Sequence, residues 1–520
     1  MKHYKGFGKQ ILLMIIFNAV YSGAGIAILA FINKYLLGEG EKTTSLIFMF
    51  FGLLVLFLAL SVASRAVLCV IENNFVFNLR SKVIKQIIDT KFERIEAASK
   101  ANLLASLSSD ISRLTDGFMR ISELIQGGMT VVFAGIYTLY ISPKMFLFLF
   151  VWIGALMILN QLIMRKVMQN FDAYRKNEDE LYKNYSKAIE GHKELSLNIK
   201  KARYLYENEF IPNANNLRQT SLKAQVYQAF AGNFMSVMML GAVGVVLYWG
   251  LSGGKEALAN AVTIALTILF LRAPLMMLVF SFPSILRAKI AYQKIEELGL
   301  DPHVAGFEIK NLAPWEKLEL KNVSFTYKNG KFGVKNLNLA INSGEVVFLV
   351  GENGSGKSTL FMILSGLYGA QSGEICVDNK AVSADDLRSY SNNISAVFSD
   401  FYLFDYIVGD ENTAREWLEI MEISQKVSIE GGKFSTTNLS AGQRKRLALA
   451  AALSEGRKFI MLDEWAADQD PHFRAHFYEC IIPKLKERGY TIFAISHDDK
   501  YFGVADKIYK MSGGEISQIR

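Results

Sequence analysis

Six apolar stretches fill the first half of the chain, at roughly 11–36, 45–71, 122–141, 145–165, 226–251 and 257–285. Each is long enough to cross a hydrocarbon core, which takes about 20 residues of helix. The connections alternate in length. Residues 38–44, 142–144 and 252–256 are short links, whereas about 50 residues separate the second and third stretches and about 60 the fourth and fifth. The long connections keep apolar residues at helical spacing and hold few prolines or glycines, which predicts helices that continue past the membrane. About 25 residues of continued helix reach roughly 37 Å. Beyond 316 the pattern changes to short, fully apolar runs at 346–350, 459–462 and 493–495. Runs of that length and composition suit strands of a parallel sheet covered on both faces. The pattern predicts a transmembrane domain over 1–290, a linker over 291–315 and an α/β domain over 316–520.

Charge orients the membrane half. The net charge is +8, and the long connections are basic, with Arg80, Lys82, Lys85, Lys91 and Arg94 in the first and Arg165, Lys166, Arg175 and Lys176 in the second. The positive-inside rule puts both long connections, the N-terminus and the α/β domain on the cytoplasmic side. No basic patch with interleaved aromatics is present, so nucleic acid is not an expected partner. Lys2, His3, Tyr4 and Lys5 precede an apolar run too long for a signal peptide and without a small-residue cleavage site, which reads as a short amphipathic elbow before an anchor. Cys69, Cys376 and Cys480 are scattered without metal or disulfide spacing. Arg272 lies inside the sixth stretch, where a charge costs on the order of 3 kcal/mol. It reads either as a contact for an anionic or polar substrate group or as a structural cap at a helix break made by Pro274. Glu72, Asn73 and Asn74, at the end of the second stretch, read as interfacial.

The chemistry lies in the second half. Residues 351–358 read Gly-Glu-Asn-Gly-Ser-Gly-Lys-Ser directly after the apolar run 346–350. Gly351, Gly356, Lys357 and Ser358 fit the spacing of a phosphate-binding loop. Its glycines allow the tight turn, Lys357 reaches the β- and γ-phosphates, and Ser358 offers a hydroxyl to Mg²⁺. A helix expected from about Thr359 points its positive end at the same phosphates. Asn353, Gly354, Ser355 and Thr359 complete the expected ATP contacts. The run 459–462 ends in Asp463 and Glu464. Asp463 is placed to hold Mg²⁺, and Glu464 to polarise the attacking water as general base. His497, at the tip of the run 493–495, is the expected γ-phosphate contact.

In order and spacing, residues 316–520 resemble the nucleotide-binding domain of an ABC transporter. Leu439-Ser440-Ala441-Gly442-Gln443 resembles that family's signature, with Ala441 where Gly is commoner. The resemblance implies that Ser440, Gly442 and Gln443 contact the γ-phosphate held by another copy of the chain, that Tyr327 stacks on adenine, and that Asp470 is the aspartate of the loop after the acidic strand. Two departures stand out. Ser399 occupies the position of the usual Gln, a Mg²⁺ ligand that links the site to the membrane domain. The segment after Glu464 reads Trp465-Ala466-Ala467-Asp468-Gln469-Asp470, without the usual Pro-Thr-Ser.

The six spans with long extensions resemble the exporter type of this family. The expected fold is an all-α six-helix transmembrane domain of ABC exporter type fused to an α/β P-loop NTPase domain. One cassette and six spans imply half of a transporter, with a homodimer the simplest assembly. Leu271-Arg272-Ala273-Pro274-Leu275, the stretch from Gly191 to Asn198 and the stretch from Phe398 to Phe404 resemble the bacterial cyclic-peptide and siderophore-peptide exporters. That implies an inner-membrane ATPase, surrounded by lipid, exporting a peptide-like substrate. A lipid or lipid-linked oligosaccharide flippase and a multidrug exporter are the alternatives. No peptidase domain precedes the first span, so this chain is not expected to process a leader peptide.

Overall fold

The computed structural model describes residues 7–38, 44–98, 103–104, 106–302, 306, 307, 309, 314–327 and 332–520. The expected elbow at residues 2–5 lies outside them. The chain forms two compact units. One comprises Met1–Lys85 with Ala98–Leu300, the other Gln86–Ala97 with Asp301–Arg520.

The first unit is built on six long helices: α1 (Phe7–Phe31), α2 (Thr44–Asp89), α3 (Ile111–Ile141), α4 (Pro143–Glu190), α5 (Ile211–Leu251) and α6 (Gly254–Glu297). Among the described residues, six helices, in the order of the six apolar stretches, are long and apolar enough to cross a membrane. The 48 residues of α4 give about 72 Å of helix at 1.5 Å per residue, far more than a bilayer core needs. Ser142 caps α4 by accepting from the Met145 N–H, and Pro143 occupies the first turn, where its missing N–H costs nothing.

The helix break expected at Pro274 does not occur. α6 runs unbroken through both Pro274 and Pro283. Its neighbour α3 presents glycine at the contact. A Cβ on Gly127 would come within 2.8 Å of the Pro274 carbonyl, and one on Gly117 within 2.2 Å of the Ala288 Cβ. Close backbone packing holds α6 in register where the local sequence alone disfavours it. Arg272, on the exposed side of α6, donates from Nε to Ser236 Oγ on α5 at 3.1 Å. A second correction concerns Glu72. It is not interfacial: it is 1% exposed, packed inside the first unit. Asn73 beside it is exposed and bonds to the Cys69 carbonyl.

Among the described residues the second unit contains three sheets, the smallest a pairing of β7 (Ile429–Glu430) with β8 (Lys433–Phe434). The largest runs β12–β11–β3–β10–β9–β6, with β3 (Val346–Gly351), β6 (Ile394–Val397), β9 (Phe459–Asp463), β10 (Thr491–Ile495), β11 (Lys507–Ser512) and β12 (Glu515–Gln518). All neighbours are parallel except β12. The next, antiparallel sheet runs β2–β1–β4–β5, with β1 (Lys317–Thr326), β2 (Gly333–Asn342), β4 (Ser372–Val377) and β5 (Lys380–Ala381). The continuous apolar runs follow from burial on both faces. Val346, Phe348, Ile460, Leu462, Ile492 and Ala494 point into one core, and the alternate residues Val347, Leu349, Phe459, Met461, Phe493 and Ile495 into another.

Residues Gln86–Ala97 pack within this unit, whereas a linear division of the sequence puts them in the membrane half. Tyr368 donates to Glu96 Oε2 at 2.5 Å, the Gly369 N–H donates to Glu93 Oε1 at 2.6 Å, and Arg388 pairs with Asp89 at 3.0 Å. Tyr368 is 2% exposed and stacks on Phe325 with ring centroids 4.8 Å apart. Burial, and then the Glu96 carboxylate, push its hydroxyl far above the usual tyrosine range. Tyr368→Phe keeps the ring and leaves Glu96 without that donor. The expected cost is about 0.5–1.5 kcal/mol, the net worth of one hydrogen bond to an exposed carboxylate that water can reach, read as a lower thermal midpoint of the second unit.

Candidate nucleotide site

β3 delivers the chain into the phosphate loop, and helix α7 (Lys357–Leu364) leaves it. The helix starts at Lys357, two residues before the expected Thr359. Gly351 and Gly356 adopt φ of 149° and 109°, backbone that favours glycine. At Gly351 a Cβ would also stand 2.4 Å from the Met511 carbonyl. Lys357 is 6% exposed, and its ammonium donates to the carbonyls of Gly351 at 2.8 Å and Glu352 at 3.1 Å. Those bonds hold the lysine across its own loop. Ser355 is buried with its hydroxyl unpaired among the described residues. Asn353, Gly354 and Ser358 are exposed. Thr359 Oγ1 meets the Tyr327 hydroxyl at 3.2 Å, which ties the aromatic to the start of α7. Tyr327 also stands edge-on to Phe325 and Tyr368.

Two strands of the largest sheet, β9 and β10, bring the acids and the histidine together. Asp463 ends β9 and is 6% exposed. Burial holds its carboxyl above the ordinary range, and hydrogen bonding from Ser399 opposes that shift. The Ser399 N–H lies 3.4 Å from Asp463 Oδ2, so the residue in the Gln position faces the acid. Asp463, Ser358 and Ser399 are oxygen donors, the hard ligands that Mg²⁺ takes. Among the described residues, no three His, Cys, Asp or Glu side chains form a metal cluster. Glu464 follows with φ 47° and ψ 38°, a left-handed conformation that non-glycine residues adopt at a cost. Its Oε1 lies 3.1 Å from His497 Nε2.

Helix α8 (Glu411–Ile420) packs beside the signature helix α9 (Ala441–Ser454). Ser440 caps α9, its hydroxyl accepting from the Gln443 N–H at 3.5 Å. Ser440 and Ala441 are exposed. Gly442 packs so tightly that a Cβ would come within 2.7 Å of the Asp468 carbonyl. Asp470 is held by two neighbours. One carboxylate oxygen caps the following short helix through the Phe473 N–H at 3.0 Å, and the other pairs with Arg446 of α9 at 3.0 Å.

Three residues without a role in the sequence reading join α9 to the acidic strand. Lys445 is 4% exposed and donates to the Glu464 carbonyl at 2.9 Å and to Asp468 Oδ2 at 2.7 Å. Trp465 returns a bond from Nε1 to the Lys445 carbonyl at 2.9 Å. Gln469 donates to the Gly442 carbonyl and accepts from Arg446. The departure at Trp465 was visible in the sequence, but its partner was not.

Residues 10–277 match the family description "ABC transporter transmembrane region", and residues 334–467 match "ABC transporter". The chain belongs to the ABC transporter family. It is 32% identical over 523 residues to ATP-binding protein SyrD of Pseudomonas syringae pv. syringae, covering 95% of this chain and 91% of that protein. The ATP-binding half alone is similar to energy-coupling factor transporter ATP-binding protein EcfA1. Identity is 34% over 212 residues for the Thermotoga maritima protein, 38% of this chain and 80% of that one. It is 32% over 215 residues for the Ureaplasma parvum serovar 3 protein, 39% of this chain and 73% of that one. The whole-length match to SyrD, with both domains in one chain, makes the transporter a multi-pass membrane protein of the exporter type. Its ATPase activity is coupled to transport.

Proposed function

We propose that the transporter is a homodimer that exports a peptide-like substrate, of the cyclic-peptide, siderophore-peptide or antimicrobial-peptide class, across the bacterial inner membrane. The ATP-binding units and the N-terminus face the cytoplasm in this reading. The observation that carries the dimer is the exposed, Ser440-capped N-terminus of α9. A helix N-terminus presents N–H donors and a positive dipole end, which suits the γ-phosphate of ATP bound to a second copy. Exposed Tyr402, Phe404, Tyr406 and Val408 in the second unit, and Leu197 and Ile199 in the first, add apolar surface for a partner to cover.

Each side chain then has a task. Tyr327 stands for the adenine ring. The phosphate loop and Lys357 take the β- and γ-phosphates. Ser358 and Asp463, with Ser399, would hold Mg²⁺, whose charge offsets that of the phosphates. Glu464 accepts a proton from the attacking water, and His497, at 3.1 Å from it, orients the carboxylate and faces the γ-phosphate. ATP bridging two copies favours one conformation, and hydrolysis releases it.

The peptide class rests on the phrases around Arg272, Gly191–Asn198 and Phe398–Phe404. Arg272, held by Ser236 on the exposed side of α6, is the proposed contact for a carboxylate of the cargo. Arg272→Ala is expected to weaken peptide stimulation of the ATPase about tenfold or more in apparent affinity, the loss of one charged hydrogen bond of ~1.5–3 kcal/mol. An unchanged concentration dependence removes Arg272 from the pathway. A second reading, a lipid flippase, is favoured by an apolar cavity of about 440 Å³ lined by Val131, Gly135, Ile136, Phe146, Phe150 and Met157. The test of both is ATPase stimulation of the full chain in lipid nanodiscs by peptides, siderophores, drugs and lipids. Stimulation by peptides supports the first reading, and stimulation by lipids alone replaces it with the second.

A further inference from the structure

Glu72 is the feature of the first unit that nucleotide chemistry and cargo binding leave unexplained. Its side chain is 1% exposed, and neither carboxylate oxygen has a hydrogen-bond partner among the described residues. Along α2 it lies between Leu68 and Phe75, one turn away on either side. Both belong to the cluster that packs α1, α2 and α3 together through Met14, Ile71, Phe118 and Ile121. The Phe75 ring stacks on Phe118 at 4.1 Å, closing the cluster beside the acid. Two further polar side chains lie one turn from residues of that cluster. Asn18 follows Met14 on α1, and Ser122 follows Phe118 on α3. Each is 1% exposed, and Asn18 Oδ1 and Nδ2 and Ser122 Oγ are likewise unpaired among the described residues.

An ionised carboxylate shut into apolar surroundings without a hydrogen bond is among the most costly groups a protein can bury. The charged groups nearest it are Arg65 on its own helix and Glu123 on α3. Glu123 itself pairs with Arg120 at 2.5 Å. The cheapest relief is a proton. It needs no cavity and removes the charge. We propose that Glu72 is a proton-binding site of the transmembrane unit, protonated while α1, α2 and α3 are packed around it and deprotonated when that packing opens to water. The proton leaves to water on opening and returns before the helices close again. The cycle then carries a proton step in addition to ATP hydrolysis.

Infrared difference spectroscopy tests this on the full-length transporter in nanodiscs, with ¹³C-labelled glutamate. A protonated-carboxyl band, assigned by its loss in Glu72→Gln, is expected to persist from about pH 6 to about pH 9, far above a free glutamic acid at ~4.3. Trapping with ATP and vanadate is expected to diminish it. Where Glu72→Gln does not reconstitute as folded protein, Glu72→Asp makes the assignment, because the band leaves the labelled set. The absence of a Glu72 band over that pH range overturns the proposal, and so does a band that nucleotide trapping leaves unchanged.

Discussion

Glu464→Gln is expected to lower ATP turnover by about 10²–10⁴-fold, the usual contribution of a positioned general base. The variant keeps the shape and the ability to hydrogen bond with His497, which lies 3.1 Å away, but cannot take a proton from water. Nucleotide binding is expected to survive, because Lys357 and the loop glycines are untouched and lie on a different strand-to-helix turn. In the proposed homodimer, ATP that is bound and not consumed is expected to keep the two copies joined. The variant therefore elutes as a tighter dimer in ATP and Mg²⁺ than the wild type does. Phosphate release under saturating ATP gives the rate, and tryptophan quenching on ATP addition gives the binding. Turnover like that of the wild type would remove Glu464 as the base. Slow turnover with lost binding would instead show a collapsed site, to which the left-handed backbone at Glu464 is vulnerable.

What could be read from the sequence was what lies close together along the chain. The phosphate loop is one strand, one turn and one helix in succession, so its geometry follows from eight consecutive residues. The alternation of short and long links likewise announces six spans, because each span must satisfy the bilayer by itself. What could not be read depends on distant partners. Tyr368 and Glu96 are 272 residues apart, and nothing local to Gln86–Ala97 marks it as part of the second unit. Pro274 signals a break by its own chemistry, but Gly127 and Gly117 on another helix set the packing that overrides it. Glu72 looked interfacial because it follows the last apolar residue of its stretch. Its neighbours on the helix, Leu68 and Phe75, pack with Met14 and Phe118 on two other helices, and it is 1% exposed.

Lys445 is the same kind of residue within the site, and it carries the second large effect. Basic residues on a helix after a motif usually sit in solvent, yet Lys445 is 4% exposed and crosses to the acidic strand. Its ammonium bonds to the Glu464 carbonyl and to Asp468, while Trp465 bonds back to its own carbonyl. The peptide at Glu464 is thus clamped from the signature helix on one side of a strained residue. Lys445→Met keeps the aliphatic stem in its apolar slot but removes all three donors. The Glu464 carbonyl then keeps only the Ala467 N–H at 3.3 Å, at a cost of about 0.5–1.5 kcal/mol in stability. The larger effect is expected in kcat. A displacement of about 1 Å in a catalytic group costs on the order of 10²-fold, so kcat should fall about 10–100-fold. KM for ATP should stay near the wild-type value, because the ammonium's partners, Glu464 and Asp468, lie outside the phosphate loop. That split separates positioning from binding: a rise in KM with kcat preserved would place Lys445 on the nucleotide rather than behind Glu464. The clamp also explains why Trp465 stands where the family has a smaller residue. Its indole N–H makes the return bond, its ring lies 4.3 Å from that of Phe477 in the core below, and so the signature helix and the acidic strand move as one piece.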